Sequence, residues 1–356
     1  MIELINDVVS QPPIFRDYRG GAPGLSFNNI LSAVIVTSSG FTAFINDALN
    51  EALKKILSDW CTYLSDPNKD SAEKSLTSKK WLSNESIYVL SQYLEGFDPD
   101  KPSTKAFKDA FVQTKDFDDP HWGFKSWNEF FARPFISKVK FDFYRPMPNP
   151  DDKDIIISPA DSRIYGIATN VSEMDTFWLK GHRYSLKHLL NGDKAGDRHK
   201  PYIGGTVYQA YLLPSDFHRW AMPFKGTIKK IVTIPGTYFA LSNALVDPAQ
   251  PDEFASLVEG LPYLSTVSVR KIAIIEADNK KIGTVCFIPV GLQEISSVKF
   301  SHPENEETKL EKGDELGMFQ YGGSTVCMVF EPKVNIKWAV SQMEHVLTRS
   351  KIATVY

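Results

Sequence analysis

Three polar side chains in the second half of the chain have the types that nucleophilic chemistry needs. Ser324 follows two glycines in FQYGGSTVCMVFEP, Asp161 lies in SPADSR, and His218 lies in DFHRWAMPFKG. A hydroxyl, an imidazole and a carboxylate can act together as a nucleophile, its base and the group that orients the base. Any long chain contains many such trios, so residue types and order alone leave the assignment open.

Each of the three also has an ordinary structural explanation. Paired glycines before Ser324 are typical of a hairpin turn, because glycine adopts backbone angles that other residues disfavour. An aspartate after a Pro-Ala pair commonly bonds its own backbone in a turn. A histidine between aromatic residues, as His218 is between Phe217 and Trp220, is often a buried structural residue.

The composition is that of a soluble globular protein and argues against several classes of function. The chain has 356 residues and a formal net charge of −3 without a Lys/Arg cluster, so we expect no nucleic-acid partner. No apolar run approaches the roughly 20 residues that span a bilayer, and no signal peptide is recognisable. Three cysteines without metal-ligand spacing fit a reducing compartment. We therefore expect a cytoplasmic protein without stable membrane insertion.

The first 135 residues predict a helical region that follows an irregular, Pro- and Gly-rich arm over residues 1–25. Between Phe44 and Leu64, apolar residues recur at helical spacing, and the sequence SDPN at 65–68 ends the pattern. Weaker helical patterns occur around Ile87 and over residues 107–111. This region ends in SWNEFFARPF.

Residues 136–356 predict a β-rich core, with the linker near 145–153 as the boundary. Many short strands at close spacing favour antiparallel sheets over βαβ units, and a helical piece, YSLKHLLNG, is inserted among them. The fold class predicted is α+β. The candidate strands are DIIIS, RIYGIAT, GGTVYQAYLL, GTIKKIVTI, VSVRKIAIIEA, KIGTVCFIPVG and STVCMVFEP.

Six motifs follow one another along the chain: SWNEFFARPF, SPADSRIYG, WLKGHRYSL, DFHRWAMPFKGTI, IPVGLQEISSV and LGMFQYGGSTV. In this combination the chain resembles the phosphatidylserine decarboxylase family of pyruvoyl-dependent enzymes, from about Ser126 to about Pro332. The WGFKSWNEFFAR and FWLKGHRYSL segments look most like the soluble fungal branch, which includes L-tryptophan and other aromatic amino acid decarboxylases. The resemblance implies an antiparallel-sheet catalytic core of phosphatidylserine decarboxylase type.

The resemblance also implies a proenzyme that cleaves itself between Gly323 and Ser324. The Ser324 hydroxyl would attack the Gly323 carbonyl, and β-elimination would leave a β-subunit ending at Gly323 and an α-subunit headed by a pyruvoyl group formed from residue 324. The two fragments would remain associated. Glycine at 323 would permit a strained backbone and leave its carbonyl unshielded. The pyruvoyl carbonyl would form a Schiff base with the substrate amine and serve as the electron sink.

The family pattern assigns His218 as the proton donor of decarboxylation and Asp161 as the group that orients the base of the self-cleavage triad. That base is the second histidine of Asp-Tyr-His-Arg-x-His, and this chain has Ala221 in its place. General acid–base catalysis is typically worth about 10²–10⁴-fold. We therefore expect self-cleavage to be severely slowed or absent, so that the pyruvoyl group is not formed.

Two explanations of Ala221 remain open. The position diverged naturally, or a histidine was replaced to keep the precursor uncleaved. The second is favoured because every other motif is kept.

Within the enzyme interpretation the resemblance favours a small aromatic L-amino acid as substrate, as in the conversion of tryptophan to tryptamine and CO2. The alternative is a phosphatidylserine decarboxylase that makes phosphatidylethanolamine, although the N-terminal helices look amphipathic and directed to the core. Ala221 is also compatible with a third alternative, a homologue that has lost catalysis and binds a ligand. A metal site is the weakest alternative, because His182 and His188 lack the spacing and carboxylate partners of zinc ligands. Substrate-binding residues and oligomeric state are not predicted.

Overall fold

The computed structural model describes residues 2–15, 25–98, 104–112, 114, 119–174, 184–192, 196–241 and 253–356. In these ranges helices occupy the chain up to residue 144 and antiparallel strands predominate from residue 155 onward. The predicted α+β class is confirmed. The irregular arm predicted over residues 1–25 is wrong at its start, because residues 2–9 form a helix in which apolar side chains recur at helical spacing. Residues 16–24 of that arm and the loop that carries His182 lie outside the described residues.

The helices of the N-terminal region end in the linker before the first strand. In the described chain they are α1 (Ile2–Val9), α2 (Ser26–Ile35), α3 (Ser38–Phe44), α4 (Asp47–Ser65), α5 (Ser71–Ser75), α6 (Asn84–Ser91), α7 (Lys105–Phe111), α8 (Trp127–Phe131) and α9 (Lys138–Tyr144). Later helices are α10 (Leu186–Leu189), which confirms the predicted insertion, and the pair Glu253–Glu259 and Leu261–Val267.

Helix α4 shows how the apolar pattern produces this region. The Asn46 side chain caps the helix by accepting the backbone N–H of Leu49 at 3.2 Å. The helix ends at Ser65, as the following Asp-Pro-Asn sequence predicts. Phe44, which fits the same periodicity, instead closes α3, because Asn46 begins a new helix. The buried face of α4 consists of Asn50, Leu53, Leu57, Trp60 and Leu64.

All seven predicted strands are present, and seven further strands complete the sheets of the described chain. The strands are β1 (Ile155–Ile157), β2 (Ser162–Thr169), β3 (Thr206–Leu212), β4 (Arg219–Ala221), β5 (Gly226–Ile234), β6 (Arg270–Ala277), β7 (Thr284–Gly291), β8 (Ser297–Phe300), β9 (Thr308–Leu310), β10 (Glu315–Gln320), β11 (Ser324–Phe330), β12 (Ile336–Trp338), β13 (His345–Val346) and β14 (Lys351–Val355).

The largest sheet has eight antiparallel strands in the order β13-β2-β3-β11-β7-β6-β5-β9. Strand β11 lies between β3 and β7, and all of its residues are buried. Two three-stranded sheets, β1-β14-β12 and β4-β10-β8, pack beside it. Chain segments far apart in sequence therefore meet at β11.

Residues 321–323 connect two different sheets. Strand β10, before them, pairs with β4 and β8, whereas β11, after them, pairs with β3 and β7. The hairpin explanation of the two glycines is therefore wrong. The connection instead places Ser324 at the first position of the central strand of the large sheet.

Candidate active site

Ser324 is a buried hydroxyl at the start of β11. It lies opposite Leu212 of β3 and Gly291 of β7, and it is 1% exposed. Its Oγ has no hydrogen-bond partner in the part of the chain that the structure describes. An unpaired buried hydroxyl is unfavourable, so its presence calls for an explanation such as a chemical role.

The peptide before Ser324 is held by a loop that follows β7, residues 292–296, here called the clamp loop. The Leu292 N–H donates to the Gly323 carbonyl oxygen at 2.8 Å, and the Gly323 N–H donates to the Gln293 carbonyl at 2.8 Å. Ser296 N–H donates to the carbonyl of Tyr321 at 2.7 Å. Residues 321–324, here called the cleavage segment, are thus fixed by backbone hydrogen bonds at the Tyr321 carbonyl and at both backbone groups of Gly323.

The left-handed backbone of this segment is at Gly322, not at Gly323, where we expected it. Gly322 has φ 135°, and a Cβ added there would lie 2.3 Å from the Ile295 Cα. At Gly323 the nearest atom to such a Cβ is the Leu292 Cβ at 3.3 Å. Gly322 therefore makes the close approach between the cleavage segment and the clamp loop possible.

His218 is buried against the helical region. Its ring stacks on Phe131 of α8 with 3.9 Å between the ring centroids, and its carbonyl accepts the Phe319 N–H. The Nδ1 atom has no partner among the described residues. Burial, followed by the positive charge of Arg133, lowers the pKa of His218 to about 3, so the imidazole is neutral at pH 7 in this state.

Asp161 accepts hydrogen bonds from three groups outside its own turn. The Arg145 Nε donates to it at 2.8 Å, the Thr348 N–H at 2.8 Å and the Thr348 hydroxyl at 2.7 Å, and the Arg145 Nη2 completes the ion pair. Burial alone raises the pKa of Asp161, but the charge and hydrogen bonds of Arg145 and Thr348 lower it below its ordinary value. None of its hydrogen bonds to described residues comes from a histidine.

Ala221 lies beside the turn that carries Asp161. Its N–H donates to the carbonyl of Pro159 at 2.8 Å, and its side chain is buried. It also lines a cavity of about 430 Å³ whose walls include Phe135, Phe141, Phe217 and Arg349. Position 221 is thus next to the turn that carries the predicted orienting carboxylate, and the cavity offers space beside it for a larger side chain.

The structure brings the predicted residues together in pairs. Asp161 and Ala221 meet through Pro159. His218 and Tyr321 of the cleavage segment both pack against Phe131, with ring-centroid distances of 3.9 Å and 5.3 Å. Ser324 makes no described hydrogen bond through its hydroxyl to any of them.

Arg133 is a buried charge that the motif SWNEFFARPF contains but that sequence reasoning did not single out. Its guanidinium lies 4.8 Å from the centre of the Phe111 ring and is 2% exposed. The Nε atom has no partner among the described residues, and burial lowers the pKa of Arg133 to about 10. The phenylalanines on both sides of Arg133 in SWNEFFARPF are the sequence feature that could have indicated its burial.

Asp216 and His345 form a second buried pair near the site. The His345 Nε2 lies 2.9 Å from an Asp216 carboxylate oxygen, and the His345 ring stacks on Tyr93 at 3.6 Å. Burial raises the pKa of Asp216, despite the opposing effect of His345. Asp216 lies in the DFHRW motif and could have been noticed, whereas His345 carries no local signal.

The described residues contain no cluster of three or more His, Cys, Asp or Glu side chains placed to hold a metal ion. In the same part of the chain, no helix has both the length and the apolar character needed to cross a membrane.

Comparison with known proteins places the chain in a family. A family model described as Phosphatidylserine decarboxylase matches residues 127–354, and a second phosphatidylserine decarboxylase model matches residues 1–90. The chain belongs to the phosphatidylserine decarboxylase family. The resemblance inferred from the six motifs is thereby confirmed, and the family is one of decarboxylases.

Three relatives show how similarity is distributed within the family. The chain is 36% identical to Decarboxylase iboD of Amanita muscaria, over 99% of each protein. It is 31% identical to the L-tryptophan decarboxylase of Psilocybe cubensis, over 92% of this chain and 71% of that protein. It is 31% identical to phosphatidylserine decarboxylase proenzyme 3 of Schizosaccharomyces pombe, over 63% of this chain and 20% of that protein.

Proposed function

We propose that the chain is the proenzyme of a pyruvoyl-dependent decarboxylase for a small aromatic L-amino acid, and that Ala221 keeps it uncleaved. The observation that carries this proposal is the cleavage segment. There, Ser324 presents a buried hydroxyl without a hydrogen-bond partner among the described residues, immediately after the Gly323 carbonyl, to which the Leu292 N–H already donates.

Apart from the base that accepts the Ser324 proton, self-cleavage needs only groups of this chain and water. The Ser324 Oγ loses its proton to a base and attacks the Gly323 carbonyl carbon, so that the peptide C–N bond breaks and an ester forms. Loss of the Ser324 Cα proton then breaks the Cβ–O bond and releases Gly323 as a carboxylate. The dehydroalanine that remains at 324 becomes an imine, and water replaces its nitrogen as ammonia to give the pyruvoyl group.

The residues present fit a pyruvoyl group at position 324. The hydroxyl that would be consumed makes no hydrogen bond in the described chain, so its loss removes no stabilising contact there. The position is buried at the head of a strand that is hydrogen-bonded on both sides. Decarboxylation of an amino acid needs an electron sink, and a pyruvoyl group supplies one.

The missing component is the base. At position 221 a histidine would stand beside the turn of Asp161, with the neighbouring cavity to accommodate its ring. Alanine cannot accept the Ser324 proton, so the attack on Gly323 lacks its activator. Arg145 and Thr348 already hold Asp161 by hydrogen bonds, which would fix its position for such a histidine.

His218 is our candidate for the proton donor to the product. Its imidazole is neutral in the buried precursor, since its pKa is about 3. A substrate carboxylate, or the new carboxylate at Gly323, would raise that pKa because negative charge favours the imidazolium form. His218 would then protonate the substrate carbon from which CO2 has left.

The choice of an aromatic amino acid rests on the relatives that match almost the whole chain. One is named an L-tryptophan decarboxylase, whereas the phosphatidylserine decarboxylase of Schizosaccharomyces pombe matches 63% of this chain. Similarity that extends through the helical N-terminal region favours the first group. Phosphatidylserine remains the alternative substrate to be assayed.

Ala221 itself favours a second candidate function, a non-catalytic homologue that binds a ligand. The two candidates make opposite predictions for Ala221→His. If the chain is a proenzyme, the variant cleaves and gains activity, whereas a non-catalytic homologue that lost more than one residue stays intact and inactive.

The experiment is therefore to purify Ala221→His, to follow cleavage by intact-mass spectrometry, and to assay tryptophan, tyrosine, phenylalanine and phosphatidylserine. We expect a split before residue 324 and release of CO2 from an aromatic amino acid. Ala221→His/Ser324→Ala is the matched control that must stay intact. Activity on phosphatidylserine alone would contradict the proposed substrate.

A further inference from the structure

Glu294 is a buried carboxylate that the proposed chemistry does not use. It lies in the clamp loop, is 0% exposed, and adopts the left-handed backbone region with φ 48°. Non-glycine residues rarely adopt this conformation, and it persists only where the surroundings hold it in place. The contacts of its side chain show what holds it.

The Glu294 carboxylate binds the first turn of α2. The Ser26 N–H donates to its Oε1 at 2.9 Å and the Asn28 N–H donates to its Oε2 at 2.9 Å. The free N–H groups of a helix N-terminus favour such an acceptor. The α2 helix has no side-chain cap from its own N-cap residue, so Glu294 supplies the cap from the other end of the chain.

The cleavage segment is attached to the same helical region at a second place. The Tyr321 N–H donates to the Asn128 side chain of α8 at 3.3 Å, and the Tyr321 ring packs edge-on against Trp60 of α4. The clamp loop and the cleavage segment are therefore both fixed to N-terminal helices. Between these two anchors lie the hydrogen bond from the Leu292 N–H to the Gly323 carbonyl and the one from the Gly323 N–H to the Gln293 carbonyl.

We infer that the clamp loop is a further part of the self-cleavage machinery, and that Glu294 is a positioning residue that fixes this loop to α2. The inference rests on the proposed self-cleavage. The Leu292 N–H receives the negative charge that develops on the Gly323 oxygen when Ser324 attacks. Glu294 acts through that N–H and does not touch the reacting atoms.

The chemistry of the Ser324 attack explains why the position of the Leu292 N–H affects the rate of cleavage. As the Gly323 carbonyl carbon becomes tetrahedral, its oxygen gains negative charge, and a donor fixed beforehand stabilises that charge without reorganisation. Removing one such donor typically slows an acyl-transfer step by about 10²–10³-fold. A loop released from α2 holds the donor less rigidly, so we expect cleavage to slow by about tenfold or more.

The test uses the full chain in two arms. In the first, cleavage rates are compared for Ala221→His alone and combined with Glu294→Ala, Glu294→Gln or Glu331→Gln. Glu331→Gln is the matched control, because the Glu331 carboxylate also accepts a backbone N–H, from Thr284, but at the far end of the large sheet. In the second arm, hydrogen exchange of residues 291–297 and 319–324 is measured in the uncleaved Ala221 chain with and without Glu294→Ala.

The inference predicts at least tenfold slower cleavage with Glu294→Ala, partial recovery with Glu294→Gln, which keeps one acceptor oxygen, and the parent rate with Glu331→Gln. It also predicts faster exchange confined to the two named segments. Equal cleavage rates with and without Glu294→Ala would overturn it, as would unchanged exchange there. If Ala221→His alone stays intact, the proposed self-cleavage is wrong, and the exchange arm still decides whether Glu294 positions the loop.

Discussion

At the scale of single residues, the decisive feature is a proposed nucleophile without the proposed base. Ser324 is buried and unpaired in the described structure, and Ala221 occupies the position of the expected proton acceptor. The motif positions of both residues could be predicted from the sequence, because the family pattern is local. The clamp loop could not, since the contact from Glu294 to Ser26 joins residues 268 apart in sequence.

Gly322 and Gly323 give a prediction about backbone strain. Gly322→Ala should lower the free energy of unfolding by about 2 kcal/mol or more, because its φ of 135° is strained for alanine and the new Cβ meets the clamp loop. Gly323→Ala is the control, with its nearest neighbour at 3.3 Å, and should cost less. Chemical denaturation of both variants measures the difference. Equal losses would contradict the assignment of the strained position.

Glu294 gives a prediction about pH. Burial raises its pKa from 4.5 to about 8 in the folded chain, so the folded state binds a proton more tightly than the unfolded state. Its contribution to stability is therefore fully present below about pH 4.5 and is lost as pH rises towards 8. The difference in unfolding free energy between the parent chain and Glu294→Gln should change across this window and be constant above it. A difference independent of pH would contradict the raised pKa.

At the scale of elements, local periodicity predicted most of what the structure contains. The apolar spacing located α4, and β-rich runs located seven of the strands, because both patterns depend on neighbours in sequence. The pairing of β11 with β3 and β7 was not predictable, since it depends on residues far along the chain. For the same reason, the sequence alone does not distinguish the connection between two sheets at residues 321–323 from a hairpin.

The buried ion pair between Arg145, which follows α9, and Asp161 gives a prediction about the free energy of unfolding. Asp161→Ala leaves the buried guanidinium of Arg145 without its partner, and breaking such a pair typically costs about 3–5 kcal/mol. Asp197→Ala breaks the exposed pair with Lys200 and should leave stability almost unchanged. Denaturant titration of the two variants in the Ala221 chain makes the comparison. A small effect of Asp161→Ala would show that Asp161 has no such structural role.

At the scale of the whole molecule, the proposed cleavage point lies inside one continuous structure. Residues 324–356 include the central strand β11, and β14 pairs with β1 of the preceding segment. Cleavage at Gly323 would leave these pairings unchanged. The helical region contributes Phe131 and the α2 N-terminus to the site, which explains why both halves of the chain are needed to build it.

This architecture predicts that the fragments stay together after cleavage. In cleaved Ala221→His, residues 1–323 and 324–356 should co-elute in native size-exclusion chromatography and separate only in denaturant. Strand β11 is buried and pairs with β3 on one side and β7 on the other, and these contacts stabilise the association of the two fragments. Separation under native conditions would contradict the expected association.

The most direct test of the account is intact-mass spectrometry of the Ala221 chain and of Ala221→His, purified in parallel. We predict that the Ala221 chain is a single uncleaved polypeptide. We predict that Ala221→His yields two fragments divided between Gly323 and Ser324, with the pyruvoyl mass at the head of the second. An Ala221 chain already divided at that bond, or an Ala221→His chain that stays whole, would contradict the account.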